Sequence, residues 1–378
     1  MKNFAGIFSL VMAVILYFLY NMMDNMAYFA AGTLFALPGI IGLFTTNCKD
    51  LRTFTVVAFA GSLLNMVTTS YGIGGSIVFL VCCGITYSCL KNLKIFFITS
   101  LAICLWLIAF LYYQLFVVGT INGDIFLQYG LSKNYPGSLL VIFNCLWAAW
   151  KYMYYRKLPI LLPILSTVMA FFLDGRSSLI CLLLITVFCF IFRGNGKSRT
   201  ITVIIMASLF AVLLFRYWGL IEDYYELTSL SEKGLDATTR TVLWKSYFDH
   251  LDIGSIIFGL DTQNLPFLKD NGGNPHNTFL SFHRRLGLVG ISILIYYIFK
   301  IIKTLLRRKS FVILFLVAVL VVRMFFDGML VTAEDFFILT LFFIPLCYNN
   351  KVFDIEKQIN THGNNWFERV WDKIAVFI

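Results

Sequence analysis

Long apolar segments alternate along the chain with short charged connections. Bounded by charges, they fall at 5–23, 27–45, 53–71, 73–90, 95–118, 136–150, 158–174, 178–192, 200–220, 282–303, 311–327 and 336–348. Their lengths lie near the ~20 residues that a helix needs to cross a bilayer. The ~10-residue alternation of a transmembrane β-barrel strand is absent. The pattern predicts twelve transmembrane helices. The first is too long for a signal peptide and lacks a small-residue cleavage site, so it reads as a retained helix. The predicted organisation is helices one to nine over 1–220, with a moderate loop at 119–135. A large polar loop follows at 221–281, then helices ten to twelve over 282–348, and a charged tail at 349–378 with an amphipathic stretch at 366–378. There is no long repeat and no low-complexity tract.

Composition supports this pattern. Of the 378 residues, 59% are hydrophobic and only 13% charged, whereas a soluble domain carries about 25% charged residues. That excludes a cytosolic enzyme, a secreted disulfide module and a disordered chain. The net charge of +10 would suggest nucleic acid if it were clustered, but its layout reads as topology. With Lys2 placed inside, alternate connections collect 20 of the 30 basic residues and 5 of the 20 acidic ones on that side. The inner side then carries +15 and the outer side −5. The positive-inside rule therefore predicts an all-α polytopic membrane protein with both termini cytoplasmic and the large loop periplasmic or exterior. No nucleic-acid partner is expected, and membrane lipid is. The nine cysteines sit in or beside apolar helices without metal-type spacing and none lies in the large loop. They read as small packing residues, so neither a stapled loop nor a structural zinc is expected.

Candidate chemistry concentrates on the outer face. His276 lies in Gly273-Asn274-Pro275-His276-Asn277, ahead of an apolar run. Asn274 is a good N-cap and Pro275 a good first helical residue, which would put His276 in the first helical turn. There a neutral imidazole is favoured and phosphate is attracted. On a helical wheel His283, Gly287 and Gly290 share its face, and the glycines would admit a neighbouring helix. Arg240 falls on the apolar stripe Leu243, Trp244, Tyr247, Phe248, Leu251 of a helix expected along the membrane surface or against the helix bundle, where an arginine needs an anionic partner. Arg176, in Asp174-Gly175-Arg176-Ser177-Ser178, falls in a tight outer turn and suits bidentate phosphate binding. Arg284 and Arg285 would extend a basic surface. Arg216 reads as snorkelling at a helix end, and Arg323 as an internal ion pair with Asp327.

These residues resemble the bacterial O-antigen polymerase and O-antigen ligase superfamily. His276-Asn277, nine residues, Gly287, two residues, Gly290 fits that family's histidine motif, and it lies at the end of the large loop as it does there. Gly175-Arg176-Ser177-Ser178 is similar to the family's Ser-Arg turn, with Gly in place of the preceding Ser. Arg240…Trp244 followed by Ile257-Phe258-Gly259 looks like its arginine, tryptophan and Phe-Gly-x-Gly run, with Asp261 where the second Gly is usual. The likeness covers about 170–345. It implies glycan transfer from undecaprenyl-diphosphate-linked oligosaccharide, without cofactor or metal. Arg176 and Arg240 would hold the leaving diphosphate and His276 would act as general base, with inversion at the anomeric carbon. Asn277, His283, Arg284, Arg285 and Trp244 would contribute to substrate binding.

Within the family, the acceptor separates the members. A polymerase extends another lipid-linked repeat unit, and a ligase transfers to lipid A core. Tyr129-Gly130-Leu131-Ser132-Lys133-Asn134-Tyr135 looks like the Ser-Arg/Lys-Asn-Tyr stretch of polymerases and favours that reading. A chain-length regulator protein is a candidate partner, and the sequence leaves open whether one binds. A polytopic transporter or flippase stays as the alternative of a different class. Its expected repeats and midplane charges are not seen, since the ionisable residues gather at the outer face.

Overall fold

The computed structural model describes residues 2–23, 26–45, 48–66, 72–119, 135–173, 175–193, 238–263, 265–269, 273–328 and 335–348. Among these the chain is all-helical. The helices are α1 (Lys2–Met23), α2 (Met26–Thr45), α3 (Lys49–Asn65), α4 (Gly72–Lys91), α5 (Leu93–Tyr113), α6 (Tyr135–Tyr155), α7 (Leu161–Phe172) and α8 (Arg176–Arg193). They continue with α9 (Thr238–Asp249), α10 (Ile253–Phe258), α11 (Thr278–Arg307), α12 (Phe311–Phe326) and α13 (Phe336–Cys347). Every predicted apolar segment within the described residues falls on a helix. The predicted ninth helix at 200–220 lies outside them. So do Arg216, most of the 119–135 loop with Lys133 and Asn134, and the tail from 349.

Among the described residues three helices, α2, α5 and α11, are long and apolar enough to cross a membrane. The apolar helices at Ile7–Tyr17, Ser76–Lys91, Arg176–Phe192, α7, α12 and α13 are shorter. Leu34, Leu37, Ile41 and Phe44 of α2 are all exposed, and their i, i+3, i+7, i+10 spacing makes one continuous apolar stripe. Such a stripe suits a hydrocarbon environment, where it has no water to order.

The chain divides into two compact units, Met1–Thr99 with Ala237–Asn349, and Ser100–Asp236 with Asn350–Ile378. In the first, α3 and α11 pack antiparallel. Asn65 at the end of α3 donates to the carbonyl of Arg284 early in α11 (2.9 Å), while Asp50 at the start of α3 pairs with Lys300 late in α11. Between these ties the buried ring of Phe54 meets Phe79, Tyr297 and Phe343, with centroids 5.3–5.8 Å apart, and stacks on Phe282 at 6.5 Å. Such pairs add about 0.5–1.5 kcal/mol each beyond their burial. In the second unit, α6 is buried almost all round. Asn144 of α6 donates to Ser166 of α7 (2.7 Å), and Thr167 of α7 meets Thr186 of α8 (3.0 Å). In an apolar surround such hydrogen bonds hold helices together where no water competes.

Candidate active site

The helix bearing the histidine motif starts later than the sequence predicts. Asn277, not Asn274, is the N-cap of α11, its side chain accepting from the N–H groups of Phe279 and Leu280. His276 therefore precedes the helix, with φ 49°. Histidine tolerates this left-handed conformation better than most residues. An Asx turn sets it up, with the His276 N–H donating to the Asn274 side chain (2.9 Å). Outside the helix, His276 shares no wheel face with His283, Gly287 and Gly290.

What fixes His276 is the end of α12. Asn277 Nδ2 donates to the Phe325 carbonyl (3.2 Å) and the Thr278 hydroxyl to the Asp327 carbonyl (2.7 Å). The rings of Phe279 and Phe325 lie 4.6 Å apart. This stitching sets His276 Nδ1 3.9 Å from Asp327 Oδ1. The other carboxylate oxygen of Asp327 takes a hydrogen bond from Arg323 Nη2 at 2.7 Å, with Arg323 fully buried. The expected Arg323–Asp327 pair is thus present, and it does more than neutralise a buried charge, because it holds a carboxylate beside the histidine. Sequence reading missed this role. The signal, an acid four residues after a buried arginine at the end of an apolar run, was visible but pointed only to the ion pair.

Arg240, on the first turn of α9, reaches the same place. Its guanidinium stands 5.8 Å from the centroid of Phe326, next to Asp327. Trp244, one turn on, donates its indole N–H to the Pro275 carbonyl (2.9 Å), so α9 grips the backbone just before His276. The structure thus brings His276, Arg240 and Asp327 to one end of the first unit. Leu243 and Tyr247 are buried as their stripe predicts, whereas Phe248 is exposed. Arg176 belongs to the second unit, where it is the first residue of α8.

Three residues expected on a substrate surface face inward instead. Asn277 is buried and its side chain is engaged by backbone on both sides, as above. His283 is buried; its Nε2 donates to the Ile256 carbonyl (2.8 Å), so Nδ1 accepts from the Tyr247 hydroxyl (2.6 Å). This neutral imidazole ties α9 and α10 to α11. Arg284, also buried, donates to the Thr262 hydroxyl (2.9 Å) and to the Gly273 carbonyl, closing the loop ahead of His276. The expected basic surface at Arg284 and Arg285 is therefore reduced to the half-buried Arg285.

The motif's glycines have geometric reasons. Gly287 interrupts α11 with φ 62° and ψ −162°, a region essentially confined to glycine. A Cβ there would stand 2.3 Å from the Ile257 carbonyl, so the close approach expected at this face is made by the short helix α10. The break frees the Arg284 carbonyl from the helical ladder, and Asn65 satisfies it together with the Phe258 carbonyl. Gly259, with φ 101°, lies against Asn65 and the carbonyls of His283 and Arg284. Gly290 is crowded by Leu286 across the break.

Trp244→Phe keeps an aromatic side chain, trims the indole to a phenyl ring and removes the hydrogen bond to Pro275. The expected result is a loss of about 1 kcal/mol in stability with the helix content kept, read by thermal unfolding in detergent. An unchanged midpoint would show that α9 does not hold this loop. No family model matches the chain, and no curated protein matches it.

Proposed function

We propose that this protein is a metal-independent, inverting glycosyltransferase of the bacterial inner membrane, an O-antigen polymerase. It would move a glycan chain from undecaprenyl diphosphate onto a sugar hydroxyl of another lipid-linked repeat unit. The observation that carries this reading is the placement of His276. The imidazole is held beside a clamped carboxylate, with Arg240 at the same end of α12.

The chemistry follows from those atoms. Nδ1 faces Asp327, which leaves Nε2 for the acceptor. Nε2 takes the proton of the acceptor hydroxyl as its oxygen attacks the anomeric carbon from the side opposite the diphosphate. The bond from that carbon to the diphosphate oxygen breaks, and the configuration inverts. Positive charge forming on the imidazole is met by Asp327, which orients the ring as acids do in other base dyads. Negative charge forming on the leaving diphosphate is met by Arg240, and by Arg176 in the reading that the family resemblance supplies. Arginine suits both places because it presents a planar, permanently charged fork to phosphate oxygens.

The twelve-helix topology, with the active site on the periplasmic face, is part of this proposal. It is supported by how the first unit sorts its charged residues. Asp50, Lys91, Lys300 and Arg308, all assigned inside, gather around one end of α3. There Arg308 donates to the carbonyls of Pro345 and Tyr348, and Lys91, Asp50 and Tyr348 share one cavity. His276, Arg240 and Asp327 collect with the Asn65 end of α3, which the topology places outside.

Purified protein supplied with a lipid-linked repeat unit alone tests the activity. Polymer forming without lipid A core supports the polymerase. Transfer that requires lipid A core would identify a ligase, and no transfer with either acceptor would end the reading. A second test isolates the carboxylate. Asp327→Asn is expected to lower transfer and also stability, by about 3 kcal/mol, since it strips the partner from a buried arginine. Pairing it with Arg323→Met should restore the melting temperature while transfer stays low. Recovery of transfer in the double variant would reduce Asp327 to a structural counter-ion.

A further inference from the structure

At the end of the first unit remote from His276, the start of α3 and the ends of α4 and α13 enclose a cavity of about 420 Å³. Its lining includes Cys48, Lys49, Asp50, Tyr87, Lys91 and Cys347. Cys48 and Cys347 are the two half-buried cysteines among the nine, the rest being buried. They come together from distant parts of the chain, side by side in the lining of this one cavity. Cys48 is the N-cap of α3, where the unpaired N–H groups of the first turn favour an anion. Lys91, 5.7 Å from the centroid of the Tyr87 ring, adds a cation to the same cavity.

These surroundings favour a thiolate at Cys48. The neighbouring Cys347 thiol is the largest influence, helped by Lys91, and it holds the Cys48 thiol below the ordinary thiol range against partial burial and Asp50. An accessible thiol of that kind, with a second thiol beside it, has the arrangement of an oxidant-reactive cysteine and its resolving partner.

We propose that Cys48 is a site of oxidative modification by hydrogen peroxide and that Cys347 resolves it to a Cys48–Cys347 disulfide. Cys48 Sγ attacks one peroxide oxygen, the O–O bond breaks, and water leaves with the thiol proton, giving a sulfenic acid. Cys347 Sγ then attacks that sulfur. The S–S bond forms, the S–O bond breaks, and a second water departs. Both sulfurs are oxidised by one electron each, and one peroxide is reduced to two waters. The product staples the start of α3 to the end of α13. This assignment is independent of the glycosyltransferase reading.

The test uses the full chain in detergent micelles at neutral pH. Without oxidant, N-ethylmaleimide should label Cys48 about ten-fold or more faster than any buried cysteine. Hydrogen peroxide should lower the intact mass by about 2 Da, the two thiol hydrogens, and yield one cross-linked peptide joining Cys48 and Cys347. Cys347→Ser should stop at a sulfenic acid on Cys48, trapped by dimedone, and Cys48→Ser should give no adduct at Cys347. Labelling of Cys48 no faster than of the buried thiols, absence of that cross-link in the wild type, or a dimedone adduct at Cys347 would each overturn the proposal.

Discussion

Replacing His276 with alanine is expected to leave an inserted, folded protein that makes no polymer. The side chain is about a quarter exposed and approaches Asp327 at 3.9 Å, at a position ahead of α11 and not inside a helix. A general base, the role proposed for His276, is worth about 10²- to 10⁴-fold in rate, and turnover with a lipid-linked repeat unit should fall by that factor. In a host strain the variant should leave lipid A core bearing single repeat units; a ligase would leave bare core while lipid-linked polymer accumulates. The backbone at position 276 complicates alanine, because φ is 49° and this region strains most residues with a Cβ. His276→Asn is the cleaner variant, since asparagine tolerates the left-handed conformation but offers no base. Both variants should lose activity alike. Normal polymer from His276→Asn would remove His276 from the chemistry.

Gly287→Ala should give the largest loss of stability. An L side chain at φ 62°, ψ −162° costs about 1–3 kcal/mol in backbone strain alone. The added Cβ would also stand 2.3 Å from the Ile257 carbonyl and 2.9 Å from the backbone of Phe258. Backbone cannot swing aside as a flexible side chain can, so α10 must leave α11. With α10 displaced, the Ile256 carbonyl leaves His283, and the link to Tyr247 and α9 weakens with it. Thermal unfolding in detergent should show the drop. Gly175→Ala is the control, because its added Cβ meets nothing nearer than 3.5 Å, and it should melt within about 0.5 kcal/mol of the wild type, as unremarkable substitutions do. Similar melting of the two variants would refute this account of the motif glycine.

The helices were legible because their signal is local. An apolar run of membrane length needs no partner to be read, and the predicted segments fall on helices wherever the chain is described. The site was legible only in part. The position of His276 ahead of an apolar run marked it, yet the helix start slipped to Asn277, because the cap is settled by the bonds that Asn277 and Thr278 make to residues 48 and 49 positions away. The same distance hid Asp327 as a partner of the histidine. Arg284 looked like a surface cation because charged residues after a loop usually are, and His283 looked like a neighbour of His276 on one helix face. What turned them inward is the break at Gly287, which lets α10 lie against the first turns of α11 and presents carbonyls that buried donors must satisfy. Asn65 was invisible for the same reason, since its acceptors lie 193 and 219 residues along the chain.

The broken helix also separates two mechanical tasks. As a continuous rod, the 30 residues of α11 would measure about 45 Å, against a hydrocarbon core of about 30 Å. A rod of that length tilts when the bilayer thins or thickens, and a rigid extension would drag everything attached to its end. Gly287 cuts the rod, and Asn65 and α10 fasten the short piece to the protein instead of to the span. The long piece after the break can then follow the thickness of the surrounding lipid, while the histidine keeps its distance from the carboxylate.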